Sequence, residues 1–305
     1  DFEGSFGAFC KLVRPKENIN SRYLATFFKS LPFKRHIRKL LSGALINNLK
    51  NEYIDSLLIP DISDSDQLHI ANLLSKAENL IAQRKESIRL LDEFLKSTFW
   101  KMFGEIKGER VPLTSACILN PKKSEISEID KTIEVSFVPM ANVSEKGEVN
   151  LSQTKPLESI WNGFTYFRED DVVFAKITPC MENGKGAIMK NLKNKIGFGT
   201  TEFHVLRPID GISTSVWLYY LTAQDSFRKK AEQNMTGSAG QKRVPPAFFE
   251  KYKVIVPPIE LQTQFAQIVE KTEALKTQYQ QSLQELENLY GSLSQKAFRG
   301  ELTKK

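Results

Sequence analysis

The sequence has 305 residues, 41% of them hydrophobic and 26% charged, which is ordinary for a globular protein and sufficient for two domain-sized units. No apolar run reaches the roughly 18 residues that a membrane-spanning helix needs, and no signal peptide is visible, so we expect no membrane partner. The net charge of +7 favours nucleic acid over a basic substrate as the partner. Because the first residue is Asp1, we expect the chain to be cut at its N-terminus.

The three cysteines, Cys10, Cys117 and Cys180, are scattered along the chain, and so are the three histidines. Scattered cysteines suit a reducing compartment better than a disulfide framework, and we expect a cytoplasmic protein. The Cys and His spacings do not match a metal site, so the sequence predicts no metal and no cofactor.

The first 62 residues contain short elements that recur later in the chain. They are a segment LVRP (12–15), a helical pattern SRYLATFF (21–28), a basic helix end FKRHIRK (33–39), a glycine-centred loop SGALINNL (42–49) and a strand-like run SLLIP (56–60). Similar pieces return in the same order at 205–208, 215–222, 227–230, 236–244 and 252–257. The chain therefore holds the tail of one copy of a repeat and the whole of a second copy.

A long helical pattern follows Pro60, with capping residues at Ser63, Asp64 and Ser65 and an end at Gly104. With about 40 residues, this helix is roughly 60 Å long. Its apolar-type positions follow the three- and four-residue steps of a coiled coil, with one additional four-residue step that indicates a stutter. These positions are Ile70, Leu73, Ala77, Leu80, Arg84, Ile88, Leu91, Leu95, Thr98 and Met102.

The pattern of strand-like and helical runs in residues 107–258 predicts a domain of the α+β class. Strands are indicated by β-branched and aromatic residues at 133–140, 171–177, 186–190, 202–208 and 252–257. The run SVWLYYLTAQDSFRKKAE (215–232) predicts one amphipathic helix. We expect a twisted sheet that is mixed or mostly antiparallel.

Charge is unevenly distributed within this domain. Residues 107–175 have a net charge of −3, whereas residues 176–243 have a net charge of +6. In the second part the basic residues lie beside glycine-containing loops, where cations can neutralise phosphates and Asn, Gln, Thr or Arg can contact base edges. A solvated basic surface explains the same charge, and composition alone does not decide between the two.

Two loops are the candidate DNA-binding sites. The loop TPCMENGKG (178–186) has the turn chemistry of a hairpin tip, although an ordinary tight turn would use the same residues. The second loop is TGSAGQKRV (236–244). The predicted DNA-binding residues are Lys176, Thr178, Asn183, Lys185, Ser238, Gln241, Lys242 and Arg243.

A second long helical pattern follows Pro258 and ends at Gly300. Its apolar-type positions lie 195 residues after those of the first helix, from Phe265 to Ala297, with the stutter at the same place. A shared stutter favours two helices that pack against each other, and the alternative is that each helix packs on its own domain. The predicted coiled-coil interface consists of Ile70, Leu73, Leu80, Ile88, Leu91, Leu95, Phe265, Ile268, Leu275, Leu283, Leu286 and Leu293.

The sequence predicts no catalytic residue. The GKG at 184–186 lacks the spacing of a phosphate-binding loop, and a GxGxxG motif is absent from the sequence. Asn120 and Pro121 are followed by two lysines instead of the second proline and aromatic residue of an amino-methyltransferase. Cys180 has no histidine near it in the sequence, so we do not expect a nucleophile.

Five pieces of the sequence together resemble the specificity subunit of type I restriction–modification enzymes. They are VVFAKITPCMENGKGAI (172–188), TEFHVLRP (201–208), TGSAGQKRV (236–244), VPPIELQTQF (256–265) and SQKAFRGEL (294–302). The resemblance covers nearly the whole chain, and the order of the pieces makes it specific, because each piece alone is a weak motif.

This resemblance implies two target-recognition domains, each reading one half of a split DNA site, and two long antiparallel helices that hold them apart. It also implies a subunit without catalytic activity whose partners are double-stranded DNA, modification (methyltransferase) subunits and restriction (translocase and nuclease) subunits. The implied segments are a C-terminal remnant of the first recognition domain (1–62), a first long helix (63–106), a second recognition domain (107–258) and a second long helix (259–305). The chain departs from the family pattern because most of the first recognition domain is missing.

Two other classes of function are compatible with the sequence. One is the DNA-recognition portion of a fused restriction or modification enzyme whose catalytic part lies upstream of Asp1. The other is a structural coiled-coil protein without a DNA role, which would show no salt-dependent DNA binding.

Overall fold

The structure is a computed structural model that describes residues 10–41, 50–238 and 240–303, so the predicted loop at 42–49 lies outside the described residues. The described helices are α1 (Ser21–Lys29), α2 (Leu31–Leu41), α3 (Asn51–Asp55), α4 (Asp64–Phe103), α5 (Leu157–Ile160), α6 (Ser215–Ala223), α7 (Asp225–Gln233), α8 (Pro246–Lys251) and α9 (Ile259–Ala297). None of these helices combines the length and apolar character that crossing a membrane requires.

The described strands form one two-stranded and two four-stranded sheets. In chain order they are β1 (Val111–Pro112), β2 (Cys117–Leu119), β3 (Glu134–Val138), β4 (Thr154–Pro156), β5 (Thr165–Arg168), β6 (Val172–Ala175), β7 (Gly186–Ile188), β8 (Ile196–Gly199), β9 (Phe203–Pro208) and β10 (Lys253–Val254). The sheet orders are β1-β10, β2-β9-β6-β7 and β4-β3-β8-β5. All pairs are antiparallel except β3 with β8, which is parallel. The predicted mixed sheet of an α+β protein is therefore confirmed.

The chain divides into two units, and the division cuts both long helices. Unit 1 consists of residues 1–91 and 274–305, and unit 2 consists of residues 92–273. The two units are defined by contacts between residues, and their limits lie inside the long helices. The predicted segment boundaries at 62, 106 and 258 therefore stay predictions.

In unit 1, the core forms where α1 meets the two long helices. Asn20 caps α1 by accepting hydrogen bonds from the backbone N–H groups of Arg22 and Tyr23. Tyr23 is buried with Ile70 and Leu74 of α4 and Ala297 of α9. Burial of these apolar side chains fixes the start of one long helix beside the end of the other.

Contacts within unit 1 show that α4 and α9 run antiparallel. The Tyr290 hydroxyl donates a 2.8 Å hydrogen bond to Glu78, while Lys85 lies 2.8 Å from Glu287. Closer to the start of α9, the ring centroid of Tyr279 lies 4.3 Å from the Arg84 guanidinium. Since residue numbers rise along α4 as they fall along α9, the expected antiparallel pair is present in this unit. In unit 2, the same two helices meet through Phe265.

Phe265 of α9 is buried in unit 2 between two rings of α4. Its ring centroid lies 5.5 Å from that of Phe99 and 5.4 Å from that of Phe103, both in edge-to-face geometry. Such pairs stabilise a core by about 0.5–1.5 kcal/mol beyond the burial of their area.

The buried stripe of the helix pair differs from the predicted one at its middle. Leu80 is 51% exposed and Leu275 is 37% exposed, although both were expected in the interface, whereas Leu74 is fully buried and Lys276 is only 6% exposed. In each helix the buried side chain thus lies one residue after a predicted position, Leu74 after Leu73 and Lys276 after Leu275. The prediction chose the most apolar residue at each step, but the methylene stem of a lysine can also cover apolar surface.

The other predicted interface residues are buried or half-buried. Ile70, Leu95 and Phe265 are buried. The half-buried ones are Leu73, Ile88, Leu91, Ile268, Leu283, Leu286 and Leu293.

Five strands of unit 2 were predicted and five were missed. Strands β3, β6, β7, β9 and β10 confirm the predicted runs, although β10 is shorter than expected. Strand β8 was missed because it contains Gly197 and Gly199, which are poor strand formers. A Cβ on Gly197 would lie 2.1 Å from the Phe167 ring, so the glycine makes room for Phe167 in the neighbouring strand.

Two further predictions differ from the structure. The helix predicted over 215–232 is broken at Gln224, whose extended backbone caps both α6 and α7. The strand-like run at 56–60 is not a strand, and Leu58 within it is 92% exposed. Its counterpart β10 pairs with β1, and no equivalent partner strand is present among the described residues of unit 1.

A buried ion pair joins two strands of unit 2. The Arg207 guanidinium, 4% exposed on β9, donates two 2.7 Å hydrogen bonds to the Asp171 carboxylate immediately before β6. The third contact of Arg207 is with Glu125. This arrangement satisfies a buried charge in the geometry that arginine and carboxylate prefer.

Each unit contains a buried glutamine that bonds three backbone groups. In unit 1, the Gln67 side chain accepts a 2.8 Å hydrogen bond from the N–H of Asn20 and donates to the carbonyls of Asn18 and Ile62 at 3.0 and 3.1 Å. We refer to this arrangement as the glutamine clamp. It fixes the start of α1 against the start of α4.

The glutamine clamp of unit 2 lies 195 residues later, at Gln262. Its side chain accepts a 2.8 Å hydrogen bond from the N–H of Thr214 and donates to the carbonyls of Ile212 and Pro257, both at 2.9 Å. The three partners occupy the positions that Asn20, Asn18 and Ile62 have in unit 1. The repeat seen in the sequence is therefore also a repeat of hydrogen bonds.

Candidate nucleic-acid interface

The first candidate loop is the tip of a β-hairpin, as predicted. Strands β6 and β7 are antiparallel, with Val173 opposite Ala187, and residues 176–185 connect them. The loop is closed by backbone hydrogen bonds from the N–H of Asn183 to Pro179 at 3.0 Å and from the N–H of Lys185 to Cys180 at 3.0 Å. Gly184 has a positive φ of 87°, which favours glycine at this point of the turn.

Arg228 of α7 supports the backbone of this hairpin tip, and the sequence did not predict that role. Its guanidinium donates hydrogen bonds to the carbonyls of Met181, Gly184 and Lys185 at 3.0 to 3.3 Å. The same group lies 4.1 Å from the ring centroid of Phe174. Burial lowers the pKa of Arg228 to about 10, so the group stays charged near neutral pH. The basic segment 227–230 was the available signal.

The second candidate loop is joined to the first by backbone hydrogen bonds. Thr236 and Arg243 exchange N–H to carbonyl bonds of 2.9 and 2.8 Å, which closes the loop. The N–H of Val244 donates to Lys176 at 2.9 Å, and the N–H of Thr178 donates to Lys242 at 3.1 Å. Residues 176–185, 236–238 and 240–244 therefore form one surface, which we call the two-loop surface.

The predicted DNA-binding residues all belong to the two-loop surface, but their side chains differ in accessibility. Asn183, Ser238, Gln241 and Lys242 are exposed. Three others are half-buried and bonded within the protein or desolvated. The Thr178 hydroxyl donates to Glu182 at 2.6 Å, the Lys185 ammonium donates to the carbonyl of Met140 at 3.2 Å, and burial lowers the pKa of Lys176.

Arg243 uses its whole guanidinium group within the protein. Its Nε and Nη2 atoms donate to the Glu202 carboxylate at 2.9 and 2.8 Å, and its Nη1 donates to the carbonyl of Gln241 at 2.8 Å. These hydrogen bonds hold the pKa of Glu202 below its usual value. In this conformation Arg243 positions the second loop, and Lys242 beside it presents an exposed cation.

His204 of β9 also positions the second loop. Its Nε2 lies 2.8 Å from the carbonyl of Val244, and its Nδ1 lies 3.1 Å from the side-chain amide of Asn120. The side-chain Oδ1 of Asn120 in turn accepts a 2.9 Å hydrogen bond from the N–H of Val205. Burial lowers the pKa of His204 to about 4, so the neutral ring donates through Nε2 and accepts through Nδ1. Isolated histidines in the sequence carried no signal for this role.

A cleft of about 530 Å³ opens beside the two-loop surface. Its lining includes Asn120, Tyr166, Lys176, Thr201, Thr236 and Arg243. Hydroxyl, amide and cationic groups of this kind suit contacts with phosphates and sugars. The part of the chain that the structure describes has no group of three His, Cys, Asp or Glu side chains that could hold a metal ion.

A family model for the type I restriction modification DNA specificity domain matches residues 105–288. The chain belongs to this family. The specificity-domain match contains the two-loop surface, its supporting residues Arg228 and His204, and the unit 2 glutamine clamp.

Relatives of this specificity domain include two curated subunits from Escherichia coli. The EcoAI specificity subunit is 40% identical over 195 residues, which are 61% of this chain and 33% of that subunit. The EcoKI specificity subunit of strain K12 is 24% identical over 327 residues, covering 99% of this chain and 70% of the subunit. The chain thus matches about a third of the length of the EcoAI subunit.

A solved structure of a type I R-M system, concerned with complex assembly and conformational transition, contains a chain of the same fold. The TM-score is 0.60 at 15% identity, over 93% of this chain and 72% of that one. The likeness supports the arrangement of sheets and long helices described above.

Proposed function

We propose that the chain is a non-catalytic DNA-recognition part of a type I restriction–modification specificity subunit. In this proposal unit 2 contains a target-recognition domain that binds double-stranded DNA and reads one half of a bipartite site. The observation that carries the proposal is the two-loop surface, where all eight predicted DNA-binding residues come together. Membership of the specificity-domain family supports the choice of DNA as the ligand.

Different residues of the two-loop surface have different proposed roles. Lys242 and Lys176 neutralise phosphates, and their charge makes binding depend on salt. Asn183, Gln241 and Ser238 are exposed polar groups that can contact base edges. The structural residues Arg228, His204 and Arg243 hold the loops in place, which reduces the ordering cost of binding.

The long helices are proposed to serve as a spacer and a scaffold. Half-sites on DNA that are read from the same face are about one helical turn apart, roughly 34 Å. A helix of 40 residues such as α4, at about 1.5 Å per residue, is long enough to set a distance of this order. In the cytoplasm, modification and restriction subunits would bind this specificity subunit and supply the chemistry.

The proposal is tested with the intact subunit assembled with its modification partner. The host methylome defines the bipartite target sequence, and affinity is then measured for that duplex and for a scrambled duplex of the same length and composition. We expect the target to bind at least about a thousandfold more tightly. Equal affinity for the two duplexes would refute a role in sequence recognition.

A further inference from the structure

Residues 140–149 of unit 2 form an ordered hairpin, which we call the linking segment. Val143 pairs with Val149 across the hairpin, and the Ser144 hydroxyl accepts hydrogen bonds from two backbone N–H groups of the turn at 3.2 and 3.0 Å. Val143 is fully buried in the same apolar cluster as residues of β6 and β7. The linking segment is therefore anchored beside the strands that carry the hairpin tip of the two-loop surface.

The first contact of the linking segment is with the two-loop surface. The Lys185 ammonium donates a 3.2 Å hydrogen bond to the carbonyl of Met140. A Cβ on Gly184 would lie 3.5 Å from the carbonyl oxygen of Glu145, which is an ordinary van der Waals distance. The linking segment thus lies against the hairpin tip, where Asn183 is exposed.

The second contact of the linking segment is with α6, through Gly147. This glycine has a φ of 85°, and a Cβ at its position would lie 2.2 Å from the hydroxyl oxygen of Tyr219. Burial raises the pKa of Tyr219 to about 12, so the hydroxyl stays protonated at this contact. Both the backbone conformation and the space beside Tyr219 therefore require a glycine here.

Tyr219 connects the linking segment to both long helices. Its ring packs edge-to-face on Tyr220, with centroids 5.3 Å apart. The Tyr220 ring centroid lies 5.1 Å from that of Phe265 in α9 and 6.2 Å from that of Phe99 in α4. All of these residues belong to unit 2. Aromatic contacts therefore connect the linking segment to the parts of α4 and α9 that lie in this unit.

A third contact of the linking segment reaches α4 directly. The Lys146 ammonium lies 4.0 Å from the Asp92 carboxylate, and the lysine side chain is 68% exposed. An exposed ion pair of this length contributes little to stability. The attachment to the long helices therefore depends mainly on Gly147 and Tyr219.

The angle at which a recognition domain is held matters for a bipartite site. One additional base pair between the half-sites moves one of them by about 3.4 Å and rotates it by roughly 35° around the DNA axis. A domain that tilts on its helices can follow such a shift, whereas a domain held at one angle cannot. Rejection of a wrong spacing therefore requires a rigid connection between the reading loops and the long helices.

We propose that the linking segment, through the contact of Gly147 with Tyr219, fixes the angle between the two-loop surface and the long helices, so that the subunit rejects half-sites at a wrong distance. This inference rests on the proposed function and assigns to Gly147 and Tyr219 a role outside the two-loop surface. Both are positioning residues, because the contacts with DNA belong to the loops.

The test compares two glycine variants of the intact subunit in its complex with the modification subunits. Gly147→Ala places a methyl group against Tyr219. The matched control is Gly163→Ala, because Gly163 has nearly the same φ, 84°, but among the described residues only its chain neighbours lie within 4 Å of the added Cβ. Affinity is measured for the target duplex, for the same duplex with one base pair added between the half-sites, and for a scrambled duplex.

We expect Gly147→Ala to lower the spacing ratio, which is the affinity for the target divided by that for the lengthened duplex, several-fold. The ratio of target to scrambled affinity stays the same, and Gly163→Ala keeps both ratios of the wild type. A residue that only stabilises the fold would change affinity for all three duplexes alike. An unchanged spacing ratio in a folded Gly147→Ala variant therefore overturns the inference, and so does a wild-type complex that binds the lengthened duplex as well as the target.

A second variant keeps the test decisive if Gly147→Ala does not fold. Replacement of residues 144–148 by Asn-Gly keeps Val143 opposite Val149 in a two-residue hairpin and removes the contacts with α4 and α6. Its spacing ratio should fall at least as far as that of Gly147→Ala. Failure of this shortened variant to fold also overturns the inference, because the lost residues would then stabilise the domain instead of orienting it.

The outcomes separate this inference from the proposed function. Equal affinity of the wild-type complex for the target and the scrambled duplex refutes sequence recognition. A preserved preference for the target in both linking-segment variants, together with the spacing ratio of the wild type, refutes the role of the linking segment alone.

Discussion

The two glutamine clamps keep the same three hydrogen bonds, whereas the surfaces beside them differ between the units. Gln67 and Gln262 bond equivalent backbone groups at the starts of the long helices. The helices that follow in each repeat, α2 and α7, have net charges of +4 and +1. The difference shows that the repeat fixes how each globular part joins its long helix, while the charge of the surface is set separately in each unit.

The first prediction compares Arg14 of the segment LVRP (12–15) with Arg207 of the segment VLRP (205–208). Arg207 is buried against Asp171, while its counterpart in the sequence repeat, Arg14, is exposed. Arg207→Ala leaves a buried carboxylate without its partner and should lower the free energy of unfolding of unit 2 by roughly 3–5 kcal/mol. Arg14→Ala should change stability by less than about 0.5 kcal/mol. Denaturant unfolding of both variants measures the contrast, and similar costs would show that the two arginines are equivalent after all.

The second prediction concerns the stability of the fold at acidic pH. The folded pKa of His204 is about 4, below the ordinary value of 6.5, so the unfolded chain takes up the proton first as the pH falls. This histidine therefore contributes stability above pH 6.5 that is lost between pH 6.5 and about 4, on the order of 3 kcal/mol. His204→Gln should remove that part of the pH dependence of unfolding. The control His69→Gln, at an exposed position of unit 1, should leave the pH dependence of unfolding unchanged. An identical pH profile for wild type and His204→Gln would contradict the burial of the neutral ring.

The third prediction tests whether the two clamps are equivalent. Gln67→Leu and Gln262→Leu each leave three buried backbone groups without partners, which should cost at least about 2 kcal/mol of unfolding free energy. The same change at exposed Gln264 of α9 is the control and should cost little. If one substitution lowers the unfolding free energy several times more than the other, the two clamps contribute unequally to stability although their hydrogen bonds are equivalent.

The fourth prediction separates contact from positioning within the two-loop surface. Lys242→Ala should reduce the salt slope of DNA binding by about 0.9, because it removes one phosphate contact. Arg243→Lys keeps the charge but loses the paired hydrogen bonds to Glu202, so affinity should fall roughly tenfold while the slope stays the same. A fall in slope for Arg243→Lys would show that the guanidinium itself contacts a phosphate.

The extent to which the sequence predicted the fold depended on the kind of signal. The long helices were predictable because apolar positions at three- and four-residue steps extend over some 40 residues, and because Ser63 gives a local signal for the start of the first one. Strand β8 was not, because Gly197 is there to accommodate Phe167, a residue of another strand. The exposed Leu80 and buried Lys276 show that the choice between adjacent positions depends on the partner helix.

The candidate site was predictable in its loops but not in its supports. Gly184 and the lysines of both loops gave local signals of turn and charge. The roles of Arg228, His204 and Glu202 depend on contacts between residues 40 or more positions apart, such as His204 with Val244 and Arg228 with Met181. The joining of the loops through Lys176 and Val244 is also a long-range backbone contact that no local pattern encodes.

The central claim is that the two-loop surface of unit 2 reads one half of a bipartite DNA site. Its most direct test is the methylome of a host in which the intact subunit has Asn183→Ala and Gln241→Ala together. We expect methylation to relax or change at bases in one half of the site, while the other half stays the same. An unchanged site in both halves, with the subunit present at normal levels, would contradict the claim.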